Sequence, residues 1–260
     1  MSRVDHHTAA VLLDSARRSR IPVAPISSRF DDFDLDDAYA VQSLQLDAWL
    51  SAGRTIVGRK VGLTSAAMQA QLGVDQPDFG VLLADMEVPD GGRLDRSLFV
   101  SPRVEPEIAF VLASPLRGPG VTVEQAAAAI GRVVASLEII DSRIADWRIG
   151  LIDTVADNAS SAGFVLGASI EGAPGLDLAA VECVFSRNGE VVSAATGAAV
   201  LGSPVNALVW LADTLGARGV GLEAGDVILP GSLTAAIPAT PGDTIHAHFE
   251  GVGSVSVTVG

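Results

Sequence analysis

Two glutamates stand two residues apart at the head of the apolar run Arg103-Val104-Glu105-Pro106-Glu107-Ile108-Ala109-Phe110-Val111-Leu112. A third, Glu138, interrupts Val133-Val134-Ala135-Ser136-Leu137-Glu138-Ile139-Ile140. In an extended chain residues i and i+2 project from one face. The Glu105 and Glu107 carboxylates therefore enter one space, within about 7 Å by strand rise. Like charges so close repel, and a cation between them relieves the repulsion. An ionised Glu138 among apolar neighbours is costly unless paired or metal-bound. Three carboxylates with no histidine or cysteine beside them suit a hard cation, Mg2+ or Mn2+ rather than Zn2+. Spacing alone leaves another arrangement open, with Glu105 and Glu107 on an exposed edge and Glu138 bonded to an arginine.

The fourth candidate is Lys60, the one lysine among 17 basic residues, in Val57-Gly58-Arg59-Lys60-Val61-Gly62-Leu63-Thr64-Ser65. A desolvated ammonium can lose a proton or act as a compact point charge, neither of which guanidinium does. Codon usage and chance are the simpler explanation of lysine rarity taken alone. The glycine-flanked apolar setting is what argues against an ordinary surface lysine. Other chemistry-bearing residues have weaker claims. Cys183 lies in the strand-like Val181-Glu182-Cys183-Val184-Phe185 and reads as structural. His246 and His248 alternate on one strand and read as strand surface. His6 and His7 fall in a segment expected to fray, and Trp147 and Trp210 read as packing residues. Neither GxGxxG nor GxxxxGKS is present.

These residues need a scaffold, and composition bounds it. The 260 residues are 48% hydrophobic and 5% aromatic, ample for one core built from Ala, Val, Leu and Ile. A net charge of −14 argues against nucleic acid, while leaving a small anionic substrate possible through local charge. Gly, Pro or polar residues interrupt the uncharged stretches before the ~20 residues of a membrane span, so no membrane partner is expected. No signal-peptide core follows the N-terminus. A single cysteine suits a reducing cytoplasm.

Helical patterns run from Thr8 to Arg20 and after Asp34, where Ala38, Val41, Leu44, Leu46 and Leu50 carry the apolar face up to Gly53. Residues 1–54 thus form a helical N-terminal region, and 55–260 a glycine-punctuated, β-rich catalytic domain. Strands are expected at Thr55–Leu63, Glu105–Leu112, Val133–Ile140, Gly163–Gly167, Val181–Ser186, Glu190–Ala194, Asp226–Leu229, Ile245–Phe249 and Ser254–Val259. Asn188-Gly189 signals a hairpin. Thr122 and Gln125 have capping-box spacing for a helix from Val123 to Ile130. Ser203 as cap and Pro204 at the first position frame a helix to Arg218. The mixture reads as α+β around a rolled or barrel-like sheet.

Five motifs, Gly58-Arg59-Lys60-Val61-Gly62-Leu63-Thr64, Leu72-Gly73-Val74-Asp75-Gln76-Pro77-Asp78-Phe79-Gly80, Arg103 to Phe110, Leu137 to Trp147 and Asp153-Thr154-Val155-Ala156-Asp157-Asn158-Ala159-Ser160, belong to a likeness that runs on to Gly251-Val252-Gly253-Ser254-Val255 and spans nearly the whole chain. Together they resemble the hydratase/decarboxylase family of the fumarylacetoacetate hydrolase superfamily. The resemblance implies a mixed β-roll, a divalent ion held by Glu105, Glu107 and Glu138 with Lys60 beside it, and a homo-oligomer. It also implies a 2-oxo or 2-hydroxydienoic acid substrate and association with a sister decarboxylase or a downstream aldolase.

Within that family the resemblance implies hydration of 2-hydroxypenta-2,4-dienoate, with decarboxylation of 4-oxalocrotonate (2-oxohex-3-enedioate) as the alternative and a non-catalytic partner subunit behind it. Asp78 separates the two reactions. The decarboxylases usually carry an apolar residue there, and an ionised aspartate would repel the second carboxylate of their substrate. The hydratase substrate ends in a vinyl group and must receive water at C4, where a carboxylate can act as base. Ser160 is expected to bond substrate or water, or else to cap a turn. Asp153, Asp157 and Asn158 have turn-forming and supporting roles open to them as well as direct catalysis. Ser160-Ser161-Ala162 departs from the Ser-Cys-Gly of many hydratases, and Gly231 to Ala236 leans toward the decarboxylases.

Overall fold

The computed structural model describes residues 5–30, 32–65, 69, 74, 76–172 and 176–260; Leu72, Gly73 and Asp75 of the second motif lie outside the described residues. Thirteen strands are described: β1 (Ile56–Gly62), β2 (Asp78–Leu83), β3 (Glu87–Pro89), β4 (Arg93–Leu94), β5 (Arg103–Leu112), β6 (Ile130–Ile140), β7 (Ser161–Glu171), β8 (Glu182–Arg187), β9 (Glu190–Thr196), β10 (Val227–Leu229), β11 (Ile237–Pro238), β12 (Thr244–Phe249) and β13 (Gly253–Val259). One sheet runs β2-β1-β10-β5-β6-β7-β3, with β11 also on β5; the other runs β4-β13-β12-β8-β9. The sheets are mixed: β1 lies parallel to β10, whereas β5 and β6 are antiparallel along their whole length.

Period-2 alternation sorts the large sheet. Val61, Val104, Ile108, Phe110, Ala135, Leu137 and Ile139 enter the main core, where Phe185, Ala247 and Val257 of the second sheet meet them. Lys60, Gly62, Glu105, Glu107, Ser136 and Glu138 consequently fall on the opposite face. Ala109 and Val134 of that face pack with Trp49, Leu82, Phe164 and Leu229 in a second cluster.

The helices are α1 (His6–Ser19), α2 (Leu35–Ser51), α3 (Val123–Ala129), α4 (Leu151–Ala156) and α5 (Pro204–Gly216). Thr122 and Gln125 close both arms of the expected capping box on α3. Ser203 begins α5 in extended conformation, but its side chain caps nothing. Asn188 and Gly189 both take positive φ, as a tight hairpin between right-twisted strands requires.

Two helical expectations need correction. The inward face of α2 is Ala38, Val41, Gln42, Gln45 and Trp49, while Leu44 and Leu50 are exposed. The glutamines are inside because carbonyls at the C-terminal end of α4 and on β2 take their amides: Gln42 donates to Phe79 and Val155 oxygens at 3.0 Å each, and Gln45 to Ala156 at 2.7 Å. His6 is not in a frayed end; it starts α1 and lies 2.6 Å from Asp37. Gly197–Gly216 reaches 20 residues at hydropathy 1.3, long and apolar enough to cross a bilayer despite its polar interruptions. Its Ala207, Leu208, Leu211 and Leu215 are instead buried in the main core.

Candidate active site

The register of β5 and β6 sets Glu105 directly opposite Glu138, and Glu107 opposite Ser136. Carboxylate oxygens of Glu105, Glu107 and Glu138 all come within 4.8 Å of one another. Like charges opposed across a ladder destabilise it, so this arrangement needs a counter-charge. Lys60 supplies part of it, with Nζ 3.4 Å from Glu138 Oε2 and 3.0 Å from the Ala159 carbonyl that accepts its hydrogen bond.

That contact reports on the shape of the sheet. β1 and β6 are three places apart, roughly 14 Å at 4.8 Å per strand. Side chains rising perpendicular from a flat sheet would not meet over that span. A curled sheet, with its hollow on the Lys60 face, brings them together.

Asp78 begins β2 opposite Gly62, and Lys60 pairs with Gly80, so Asp78 and Lys60 are diagonal neighbours across two strands. Gly62 leaves the space for this: a β-carbon there would overlap Asp78 Oδ1 and lie 3.1 Å from Lys60 Nζ. Ser160 reaches the same cavity by a different device. Asn158, Ala159 and Ser160 all have positive φ, an unfavourable left-handed turn for residues with β-carbons. Asn158 holds it by accepting from Val81 N at 2.8 Å and donating to Val81 O at 3.0 Å. Gly80 admits the turn, since a β-carbon there would overlap the Asn158 carbonyl. The Ser160 hydroxyl lies 3.1 Å from that of Thr154.

These groups line a cavity of about 570 Å3, walled also by Leu63, Thr64, Arg103, Ile140, Trp147, Ile149 and the loop Ser232 to Ala236. The loop bridges the part of β5 between its pairings with β10 and β11, and Gly231 N donates to Glu107 Oε2 at 2.7 Å. Trp147 is therefore cavity wall and not core packing; its positive φ turns it there, and its indole N–H donates to Ser101 O at 3.0 Å. Arg103 was missed by sequence reasoning, although its place two residues before Glu105 puts it on the carboxylate face. Thr154 carried no signal of its own.

Burial is the main force on the acids. It pushes Glu105 up to about 8, with the Glu138 charge adding to it and Lys60 opposing. Glu107 is held well above the usual carboxylate range by burial, then by Glu138 and Glu105. Glu138 is raised by burial against the pull of Lys60, and Asp78 is raised for the same reason. For Lys60 burial works downward, but Glu138, Asp78, Glu105 and Glu107 outweigh it and hold the ammonium charged. Glu107 Oε1, both Glu138 oxygens and Asp78 Oδ1 are buried without a hydrogen bond. The unsatisfied hard oxygens of Glu107 and Glu138, with those of Glu105 within 4.8 Å, are the donor set of an Mg2+- or Ca2+-class ion, which would favour their ionised forms.

The remaining acids are committed to structure. Asp157 forms a buried ion pair with Arg143 at 2.5 Å, and Asp153 accepts from Ser27 N and Oγ at 2.9 and 2.8 Å. Cys183 is buried, which pushes its thiol up to about 12, so it offers no thiolate at neutral pH. His248 bonds Ser254 at 2.9 Å on the second sheet, away from the triad.

Residues 55–260 match the family model "Fumarylacetoacetate (FAA) hydrolase C-terminal". A 2-keto-4-pentenoate hydratase of Paraburkholderia xenovorans is 47% identical over 98% of this chain and 95% of its own. A 2-keto-4-pentenoate hydratase 2 of Dechloromonas aromatica is 46% identical over 95% of each. The 4-oxalocrotonate decarboxylase of Pseudomonas putida G7, solved with magnesium and adipate, superposes with a TM-score of 0.94 at 37% identity over the whole of both chains. The same decarboxylase has also been solved with calcium and acetate. With its full-length likeness to these relatives, its curled sheet and its carboxylate-lined cavity, the chain belongs to the fumarylacetoacetate hydrolase family.

Proposed function

We propose that the protein is a hydro-lyase that converts 2-hydroxypenta-2,4-dienoate, the enol of 2-keto-4-pentenoate, to 4-hydroxy-2-oxopentanoate. The observation that carries this reading is Asp78: a carboxylate 1% exposed, set in the cavity wall beside Lys60. Glu105, Glu107 and Glu138 would hold Mg2+ or Mn2+. Such an ion would supply positive charge beside the substrate, where negative charge develops as the dienol ionises.

The chain's own groups do the rest. Lys60, held charged by the surrounding acids, stabilises the oxyanion at C2 while that hydroxyl loses its proton and a proton is delivered to C5. The product of this step is the α,β-unsaturated ketone 2-oxopent-3-enoate. Asp78, its basicity raised by burial, takes a proton from water as the oxygen bonds C4, and a proton returned to C3 completes the addition. Ser160 and Thr154 hold the water or the substrate through their paired hydroxyls. The apolar wall residues Leu63, next in sequence to the Gly62 that pairs with Asp78, and Leu233 suit an uncharged vinyl end.

Decarboxylation of 2-oxohex-3-enedioate is the second reading, favoured by the Gly231 to Ala236 segment, much of which lines the cavity. Absorbance of the dienoate, followed with Mg2+ present, tests the first reading. CO2 release from the dicarboxylate, with the dienoate left untouched, would replace it with the second. We further propose that the enzyme works in the cytoplasm as a homo-oligomer.

A further inference from the structure

Arg103 is a cavity residue to which the proposed chemistry assigns no task. It lies on the same strand face as Glu105 and Glu107, one i, i+2 repeat before Glu105, and its guanidinium stacks on the Trp147 ring at 4.4 Å. The platform is braced. Trp147 is tied to Ser101, and Asp141 accepts from Val100 and Ser101 N at 2.9 and 2.6 Å, fixing the turn into β5. Arg143, the other arginine near this wall, is used up by Asp157. Among the described residues Arg103 has no carboxylate within ion-pair distance. A stacked, unpaired guanidinium facing a cavity is a ready fork for a planar anion.

Position selects which anion. Arg103 and Glu105 are about 7 Å apart by strand rise, a gap that one carboxylate would span between the guanidinium and the divalent ion that Glu105 would help to hold. Asp78 and Lys60 lie on β2 and β1, beyond Glu105 and across β10 from β5. Resting on the hydratase reading above, we infer that Arg103 binds the C1 carboxylate of the 2-oxo acid. The substrate then lies with its acid end at Trp147 and its unsaturated end at Asp78. Lys60 is left to serve the C2 oxygen, which explains why two cations of different type line one cavity.

The test is calorimetric and needs no turnover. 2-Oxopentanoate, which has no double bond to hydrate, is titrated into the Mg2+-loaded protein and its R103Q and R103K variants, alongside 2-oxohexanedioate. Loss of a charge-assisted bond predicts at least a tenfold rise in Kd for R103Q, by about the same factor for both acids. R103K, keeping charge without the fork, should recover only part of it. An unchanged Kd for 2-oxopentanoate overturns the assignment. So does a loss confined to the diacid, which would make Arg103 a reader of the distal carboxylate. If R103Q does not fold, R103K carries the test, and a wild-type Kd there overturns it equally. A protein that binds 2-oxopentanoate through Arg103 yet leaves the dienoate unhydrated refutes the function and keeps this inference.

Discussion

The carboxylate triad should make the metal-free protein weaken as pH rises, and a divalent ion should cancel the effect. Glu105 carries the clearest number. Its ordinary value is 4.5, and in the metal-free fold burial and the Glu138 charge push it up to about 8. A folded-state value raised this way means that the unfolded chain releases the proton first. The stability associated with the neutral acid is thus complete below about pH 4.5 and is lost as pH climbs through 8. At 1.36 kcal/mol per unit the difference is about 5 kcal/mol. Glu105 lines the cavity and is screened by its water, so about half, 2–3 kcal/mol, is the reasonable expectation. For a chain of this length that is about 5–10 °C in Tm. The assay is thermal unfolding in EDTA and in saturating Mg2+ at pH 6 and 8.5, for the parent and E105Q. The parent in EDTA should lose several degrees between the two pH values, Mg2+ should flatten the slope, and E105Q in EDTA should reduce it without metal, the remainder belonging to Glu107 and Glu138. A parent whose Tm in EDTA does not fall, or an E105Q variant that keeps the full slope, would refute the account of Glu105 as a strained member of an ion site.

Replacing Glu107 by Gln leaves the Gly231 bond satisfiable but removes one anionic donor. The Mg2+ concentration for half-maximal activity should rise at least tenfold, and an unchanged titration would exclude Glu107 as a ligand. D78N should lower the hydration rate by about 10²–10⁴-fold, the usual weight of a positioned acid or base, with Mg2+ affinity by calorimetry nearly intact. Hydration at the parent rate would remove Asp78 from the mechanism. K60R keeps the charge yet must fit a planar guanidinium at a residue only 3% exposed, where Nζ lies 3.0 Å from Ala159 O and 3.4 Å from Glu138. Most activity should be lost, and a K60R enzyme with parent kcat would reduce Lys60 to a simple counter-charge.

What the sequence made legible follows from contrast. Glu105, Glu107 and Glu138 stand out because charge is expensive inside an apolar strand. Lys60 stands out because a basic residue sits between glycines, and the strand period then puts all four on one face. Asp78 had no such contrast. It opens Asp78-Phe79-Gly80-Val81-Leu82-Leu83, a strand buried at every position, where alternation vanishes and a short apolar run fits strand or helix equally. The direction of α2 was misread for the opposite reason: its apolar residues point partly outward, and Gln42 and Gln45 turn inward because carbonyls there need donors. Trp147 and Ser160 depend on positive φ at residues with side chains, which carries almost no local signature beyond the single Asn158. Arg103 was within reach, since the same i, i+2 rule that joined Glu105 to Glu107 extends one step back.

Backbone strain recurs around the cavity. Leu63, Trp147, Ala159, Ser160 and Gly231 all have positive φ, and all lie on or beside the cavity. Non-glycine residues in that region cost about 1–3 kcal/mol each, so the three consecutive ones at Asn158 to Ser160 persist only because β2 holds them. Asn158 clips both backbone groups of Val81, and Gly80 leaves room for the turn. The same turn aims the Ala159 carbonyl at Lys60. Lys60 is consequently positioned by a strained segment, and not by its own strand alone. A lysine on a straight strand would be free to swing to Asp78 or to Glu138. One tied to Ala159 is held between them, where a single ammonium can balance the triad at one side and favour the ionised form of Asp78, against the effect of its burial, at the other.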